Sequence, residues 1–560
     1  MYAKYSIFAR KHWALLALMV FHLASNTVWI YLNTTPPPYD ANIHTARSME
    51  FAHKLLHLSW DQSFLTISRY YPPLTYVLAS VFAIVGNFNI KVLQWFSVVT
   101  FCFSLGLVYL LTYRISRAQA TSFVAAFIYS FFLSIFTEAR YLMTDGVSIC
   151  ILLCSVYLLL FDFDQSLLRG RTYLLTLFIS LGMLSRWTFI LYILPFIGWK
   201  LWQYWTHQHT SLNDSHPHRD QDLKVLVGSL TIFIGITAPW YLANISSILH
   251  IANVTITPEL DDPKILFSLD NVLFYIRQLI TFQFHTIPSL LYISIVIYWI
   301  FKKITLHRTY ILLFACVLFF CYIAFTFFIG NKNVRFVTPV LPFAAINIAL
   351  MSQGLIKRSS FVALLLIPAM YYGLVTYTIL SFAWPFYPDY KYITQVPLYG
   401  YVDLVYLSTY PVRSLYSNAD WKNDEVVKSI IDEKARLPTK MTLNYLVLTD
   451  KQFFSAASIK SHLYQMQRGV PKYIEEADTD YFRLSPSGRF ENIPNLDAYL
   501  SQISLVIYTR DSLGNPDTLR DNAYRVQMKE YIEDLHPDWY QLIKEISLPD
   551  GDTAVILRRI

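Results

Sequence analysis

Long apolar runs of about 20 residues, the length a helix needs to cross a bilayer, recur from Trp13 to about Ser381 and constrain this chain more than any other feature. No water is available in hydrocarbon to satisfy a broken backbone, so such runs fold as helices that satisfy their own amides. Charged residues make up only 15% of the 560 residues, against roughly 25% in soluble proteins. That is too little charge to coat several soluble domains, and it excludes a secreted enzyme, a fibrous protein and a disordered scaffold. The fold class implied is an α-helical polytopic membrane protein over residues 1–383, followed by a polar domain over 384–560.

The net charge of +7 sits in short basic clusters at the ends of apolar runs. There it sets membrane orientation and does not form the continuous basic face that nucleic acid needs, so no nucleic-acid partner is expected. The five cysteines (Cys102, Cys150, Cys154, Cys316 and Cys321) all lie inside apolar runs. Cysteine in that setting packs as a small hydrophobe, and no disulfide or zinc framework is implied.

The first run, Trp13–Leu32, follows Lys4, Arg10 and Lys11 and reads as an anchor with a cytoplasmic N-terminus, being too long for a signal peptide. Further crossings are predicted near Val92–Tyr113, Ser122–Phe136, Gly146–Phe161, Thr172–Leu184, Trp187–Tyr204 and Val225–Ala243. Four more fall near Ser289–Phe301, Tyr310–Ile329, Phe336–Gln353 and Ser360–Ser381. Pro72–Gly86 is apolar but short, and the positive-inside rule decides its status. If it does not cross, Arg114/Arg117, Arg169/Arg171, Lys302/Lys303/Arg308 and Lys357/Arg358 all fall inside with the N-terminus. It therefore reads as a juxtamembrane or re-entrant helix, which leaves about eleven crossings.

That parity places Asn33–Tyr71, Thr137–Asp145, Asn244–His285, Gly330–Arg335 and the C-terminal domain outside. His207, His209, His216 and His218 fall inside; the Ser, Asn, Asp, Gln and Pro around them mark a solvated loop rather than a metal site. In the tail, Met441–Leu448 and Ile503–Tyr508 predict strands, and Asn423–Ala435 and Asp521–Leu535 predict helices. A turn at Leu548-Pro549-Asp550-Gly551-Asp552 leads into a closing strand, Thr553–Leu557, giving a small α/β domain on the outer face.

Ionisable groups at the membrane are costly, so they carry functional hypotheses. The first outer loop runs Pro36-Pro37-Pro38-Tyr39-Asp40-Ala41-Asn42-Ile43-His44 and ends at Tyr70-Tyr71-Pro72-Pro73-Leu74. Proline stiffens both ends, so Asp40 sits on a held loop, where it could also cap a helix. The second outer loop, Thr137–Asp145, carries Glu138, Arg140 and Asp145, more charge than a turn requires. Interfacial snorkelling and a cap at Asp145 are the plain structural alternative. Arg186, Lys332 and Arg335 lie in two further tight outer turns. Carboxylates beside cations suit a lipid-phosphate leaving group: the cations meet the developing phosphate charge, and a carboxylate takes the acceptor proton. Aromatics at the interface, among them Trp60, Tyr70, Tyr71, Trp187, Trp240 and Tyr241, fit an interfacial belt and could stack on sugar.

These motifs resemble the GT-C glycosyltransferases, in the branch of protein O-mannosyltransferases and lipid A aminoarabinose transferases (glycosyltransferase family 39-like). The resemblance rests on Tyr39-Asp40, Tyr71-Pro72-Pro73-Leu74, Glu138-Ala139-Arg140 followed by Asp145, Ala238-Pro239-Trp240-Tyr241-Leu242, and Leu548-Pro549-Asp550-Gly551 with Val555-Ile556-Leu557. It implies a GT-C fold with juxtamembrane helices in the first outer loop, 33–91. It also implies transfer of a sugar, with inversion, from a polyprenyl-phosphate donor to a hydroxyl of a lipid, protein or envelope glycan at the outer face of a bacterial plasma membrane.

By that resemblance Asp40 is the catalytic base or orients it, and Asp145 supports the site or a divalent ion, the two being candidate ligands for that ion (Mg, Mn or Zn). Arg140, Arg186, Lys332 and Arg335 are candidates for the donor phosphate, and His44, Glu138, Tyr70 and Tyr71 for substrate-loop contacts. Two departures are visible: Ala41 follows Asp40 where the mannosyltransferases pair their Asp with Glu, and Tyr70-Tyr71 stand where the aminoarabinose transferases carry a charged pair. Three Asn-X-Ser/Thr triplets, at Asn33, Asn244 and Asn253, fall on the outer side. A rival reading is a flippase or transporter of a lipid-linked saccharide, and a third is a non-catalytic assembly subunit whose carboxylates only cap helices. Transporters tend to show internal repeats, and none is visible here.

Overall fold

The computed structural model describes residues 2–58, 62–161, 169–210, 219–256, 263, 265, 267–357, 361–384, 393–396, 400–403, 416–469, 471–477, 496–514, 519–535 and 537–560. These form two compact units. One comprises Met1–Trp29, Ser68–Thr75 and Trp95–Leu415; the other comprises Ile30–Ile67, Tyr76–Gln94 and Tyr416–Ile560. The first outer loop, grouped by the sequence reading with the transmembrane part, thus divides between them. Of the histidine stretch expected to lie inside, His216 and His218 lie outside the described residues.

The first unit is a bundle of apolar helices. Among the described residues seven helices are long and apolar enough to cross a membrane: His12–Leu32, Ile90–Ser116, Thr144–Phe161, Lys224–Ala243, Arg308–Phe327, Val334–Ile356 and Val362–Phe382. Three other expected crossings are helices as well, Arg169–Ser185 (17 residues), Phe189–Thr210 (22 residues) and Thr286–Phe301 (16 residues). At 1.5 Å per residue the two shorter ones reach roughly 24–26 Å, less than a hydrocarbon core of about 30 Å. The Arg169–Ser185 helix packs between Thr144–Phe161 and Arg219–Ala243. Gly228 admits that approach, since a Cβ there would meet the Tyr173 hydroxyl at 2.9 Å; small residues serve this purpose between membrane helices.

The predicted crossing Ser122–Phe136 is two helices instead, Gln119–Ser130 and Leu133–Glu138, with Phe132 extended between them. Tertiary contacts hold the break: Phe132 packs on Phe284 at 4.4 Å, Phe131 packs on Phe127 and Tyr377, and Ser134 donates to Gln283. A break at this depth is tolerated because these groups are buried in protein. The short helix that results aims Glu138 at the next turn.

In the second unit the first-loop helix Tyr39–Leu56 and the 12-residue helix Leu74–Val85, which begins in the first unit, accompany the C-terminal domain. Leu74–Val85 reaches roughly 18 Å, too short to cross, as the parity argument requires. The domain is built on strands β1 (Leu443–Val447), β2 (Ile474–Glu476), β3 (Leu505–Thr509), β4 (Tyr540–Ser547) and β5 (Thr553–Arg559), in the order β2-β1-β3-β5-β4. β1 runs parallel to β2 and β3, and β5 antiparallel to β3 and β4.

Side chains alternate along a strand, so Leu443, Tyr445 and Val447 enter one core and Leu446 enters the other. Helices Asn423–Arg436 and Ala456–Gln467 supply Val426, Ile430, Ile459 and Leu463 to the first; Met528 and Ile532 close the second. The sequence missed β4, whose solvent-facing Glu and Lys residues hide its alternation, and β2, which is three residues long.

Candidate active site

Within the first unit a small polar pocket opens where the short Leu133–Glu138 helix turns into Thr144–Phe161. It is lined by Ser97, Thr100, Ser104, Tyr129, Glu138 and Asp145, with Met143 at its side. Its free space of about 30 Å³ holds water rather than a sugar. Tyr129 Oη lies 3.1 Å from Ser104 Oγ, and Thr100 Oγ1 donates to the Ser97 carbonyl at 2.9 Å. No sequence signal marks Tyr129, Ser104 or Thr100, which sit inside apolar runs and join the site through helix packing.

Asp145 lies in the first turn of its helix, where a negative charge meets the positive end of the helix dipole. Arg186, from the tight turn after Arg169–Ser185, donates through Nη1 to Asp145 Oδ1. Both side chains are largely buried, 11% and 4% exposed, so the pair is shielded from salt and water. Arg186 also lies over the Phe336 ring at 5.6 Å, and the Phe336 carbonyl accepts from Tyr192 Oη at 2.9 Å. Arg335 begins a 3₁₀ turn, Val334–Val340, with its backbone N–H held by Asn333 Oδ1 at 3.0 Å. Its guanidinium reaches Met143 Sδ at 3.8 Å.

Glu138, like Ser97 in the same pocket lining, carries an unsatisfied buried atom. Its Oε1 is buried with no hydrogen-bond partner among the described residues. Burial pushes the carboxyl up to about 7, against the opposing pull of Arg335 and then Arg186. A carboxyl titrating there can hold or release a proton near neutral pH. Glu138, Asp145, Arg186 and Arg335 are therefore brought together: two carboxylates and two guanidiniums from three turns.

Arg140 and Lys332 are taken up elsewhere. Arg140 is fully buried; its Nε donates to Asn26 Oδ1 at 2.9 Å, its Nη2 donates to Ser381, and its guanidinium lies over Trp29, Tyr377 and Phe136 at 4.9, 5.3 and 5.5 Å. That aromatic box makes it a tie between helices. Lys332 Nζ donates to the carbonyls of Phe325, Thr326 and Ile329 at 2.9, 2.8 and 2.5 Å. An ammonium has three hydrogens, and these close the C-terminal end of Arg308–Phe327, whose last carbonyls need donors.

Tyr70 and Tyr71 also belong to the first unit, with ring centroids 4.5 Å apart beside Ser68, whose Oγ accepts from Trp240 Nε1 at 2.9 Å. Asp40 and His44 belong to the second unit and lie one helical turn apart on Tyr39–Leu56. Pro38 is the residue that precedes this helix and Asp40 sits inside its first turn, so Asp40 is not the N-cap. His44 is buried, with Nδ1 2.8 Å from Tyr76 Oη. Tyr39, just before Asp40, takes φ 34°, a left-handed value rarely adopted by a bulky residue.

Among the described residues no three His, Cys, Asp or Glu side chains gather as metal ligands. Asp145 Oδ1 is engaged by Arg186, which leaves Oδ2 of this carboxylate as the oxygen a Mg, Mn or Zn ion would use.

Residues 40–253 match the family Dolichyl-phosphate-mannose-protein mannosyltransferase. In three dimensions the chain is similar to ArnT from Cupriavidus metallidurans bound to undecaprenyl phosphate, with TM-score 0.59, 12% identity, and 97% of each chain covered. The apo state of the same protein gives TM-score 0.57 at 12% identity and the same coverage. The archaeal oligosaccharyltransferase AglB from Archaeoglobus fulgidus, in complex with an inhibitory peptide and a dolichol-phosphate, gives 0.47 at 11% identity, covering 98% of this chain and 74% of its own. No curated protein matches the chain in sequence. The fold is like that of ArnT, with helices long and apolar enough to cross a membrane and a small C-terminal sheet domain, and the family match spans residues 40–253.

Proposed function

We propose that the protein transfers one sugar, with inversion, from a polyprenyl-phosphate donor to an acceptor hydroxyl at the outer face of a bacterial plasma membrane. In this reading the N-terminus is cytoplasmic and residues 384–560 are extracytoplasmic. The observation that carries it is the gathering of Arg186 and Arg335 with Glu138 and Asp145 at one end of the helix bundle. The acceptor oxygen attacks the anomeric carbon while the bond from that carbon to the phosphate oxygen breaks. The bonding pair leaves with the phosphate, and guanidiniums suit the charge that develops there. The hydroxyl proton passes to Asp40, the base in this reading, with Asp145 supporting the site through Arg186. His44, Glu138, Tyr70 and Tyr71 contact substrate.

A divalent ion (Mg, Mn or Zn) held by Asp40 and Asp145 is part of this proposal, and a chelator tests it directly. The assay uses purified protein, radiolabelled polyprenyl-phosphate hexoses and an envelope extract, with and without EDTA. Label reaching any acceptor, and lost in Asp40→Asn with donor binding retained, is the expected result. Near-normal turnover in Asp40→Asn overturns the role of Asp40, and donor movement across proteoliposomes without transfer favours the flippase.

A further inference from the structure

The C-terminal sheet domain contains no nucleophile or phosphate-loop motif, yet within the second unit it lies along the helix that carries Asp40. Helix Ala456–Gln467 packs on Tyr39–Leu56. The Tyr39 backbone N–H donates to the Gln452 carbonyl at 3.2 Å, and Ser461 Oγ, which donates to the Ala457 carbonyl at 2.8 Å, lies 3.4 Å from the Asn42 carbonyl. Further along, Lys460 Nζ lies 3.6 Å from Glu50 of the first-loop helix and 3.8 Å from Glu476 at the end of β2. The far end of the loop segment is tied as well, the Ile90 N–H donating to Gln465 Oε1 at 3.1 Å. These contacts grip the first-loop helix from its first residue to its third turn.

The left-handed Tyr39 sharpens the point. A non-glycine residue in that region costs on the order of 1–3 kcal/mol and persists only where its surroundings over-determine it. The Gln452 carbonyl, from the turn that leads into Ala456–Gln467, fixes that peptide one residue before Asp40.

We propose that the sheet domain is a positioning device for Asp40, with Lys460 as the positioning residue that locks the first-loop helix against Ala456–Gln467. Lys460 bridges one carboxylate on the helix and one on the sheet, so it ties the direction of the helix to the domain core. The proposal rests on Asp40 being the base. A base displaced by an ångström loses rate and not ground-state affinity.

The test uses the full-length protein with Lys460→Met and Lys460→Arg, measuring kcat, KM for a polyprenyl-phosphate hexose, and hydrogen exchange of the amides in Tyr39–Leu56. The expected result for Lys460→Met is a fall in kcat of about 10- to 100-fold with KM little changed, faster exchange at the start of the helix, and recovery of both in Lys460→Arg. Faster exchange with wild-type kcat overturns the proposal, as does unaltered exchange whatever the rate. If Lys460→Met does not fold, Glu50→Gln removes the same bridge from the helix side and is read in the same way. Wild-type turnover in Asp40→Asn would remove the base, while the exchange data would still report whether the helix is locked.

Discussion

Arg186 donates to Asp145 across two turns of the bundle, and both side chains are almost completely withdrawn from solvent. Removing one partner leaves the other charge buried and uncompensated, which costs roughly 3–5 kcal/mol. Asp145→Asn and Arg186→Gln should each lower the thermal midpoint in detergent. The double variant should lose less than their sum, by about 1–3 kcal/mol in a double-mutant cycle. Additive losses would show that the two side chains do not act as a pair.

Glu138 sets a pH dependence. Its carboxyl is raised from 4.5 to about 7 by burial, so the folded state holds a proton that the unfolded chain has released. Stability is therefore full below about 4.5, falls as pH rises towards 7, and is lower by a few kcal/mol above it. Glu138→Gln should remove this slope, raising the midpoint relative to wild type most at pH 8 and least at pH 4. Parallel curves for the two proteins between pH 4 and pH 8 would contradict the buried carboxyl.

Arg140 and Lys332 should behave as structural residues. Arg140→Ala leaves Asn26 Oδ1 and Ser381 without their donor and empties an aromatic box, a loss of about 3 kcal/mol or more. Lys332→Met uncaps three carbonyls and should lower stability by about 1–3 kcal/mol, leaving KM for the lipid donor unchanged. A large rise in donor KM in Lys332→Met would return that residue to the phosphate.

Asp552 anchors the closing hairpin of the sheet domain. It accepts from Lys451 at 2.5 Å and from the backbone N–H groups of Thr553, Asp511 and Ser512 at 2.6, 3.0 and 3.1 Å. Burial pushes its carboxyl up, but Lys451 and these N–H groups outweigh it and hold the group down at about 2. The stability it contributes is present above the ordinary carboxylate range and is lost as pH falls through about 2. Asp552→Ala should cost about 2–4 kcal/mol in the domain, measured by denaturation followed at the tryptophans.

The helical class, the short apolar helix Leu74–Val85 and the strands at Leu443–Val447, Leu505–Thr509 and Thr553–Arg559 were legible because a local run, hydrophobic period or turn marks each. The break at Phe132 was not, since Ser122–Phe136 is apolar throughout and only contacts with Phe284 and Gln283, some 150 residues away, divide it. At the candidate site the charged loop residues were visible as outliers among apolar neighbours. Their partners were not: nothing local says that Arg186 meets Asp145 while Arg140 meets Trp29. Charge marks a position, and packing over long separations decides what that charge touches.

The second unit is discontinuous in the chain: Ile30–Ile67 and Tyr76–Gln94 join Tyr416–Ile560 across 416 − 94 = 322 positions. During synthesis the first-loop helix leaves the ribosome long before the sheet on which it rests. From the end of that helix at Leu56 to the last strand, Thr553–Arg559, the interval is about 25–100 s at roughly 5–20 residues per second. For that time the side of Tyr39–Leu56 that meets the domain, at Tyr39, Asn42 and Glu50, has no sheet domain to cover it. Maturation of this protein is therefore a late event that awaits the last strand, and truncations near the C-terminus should expose the first loop to proteases before they disturb the helix bundle.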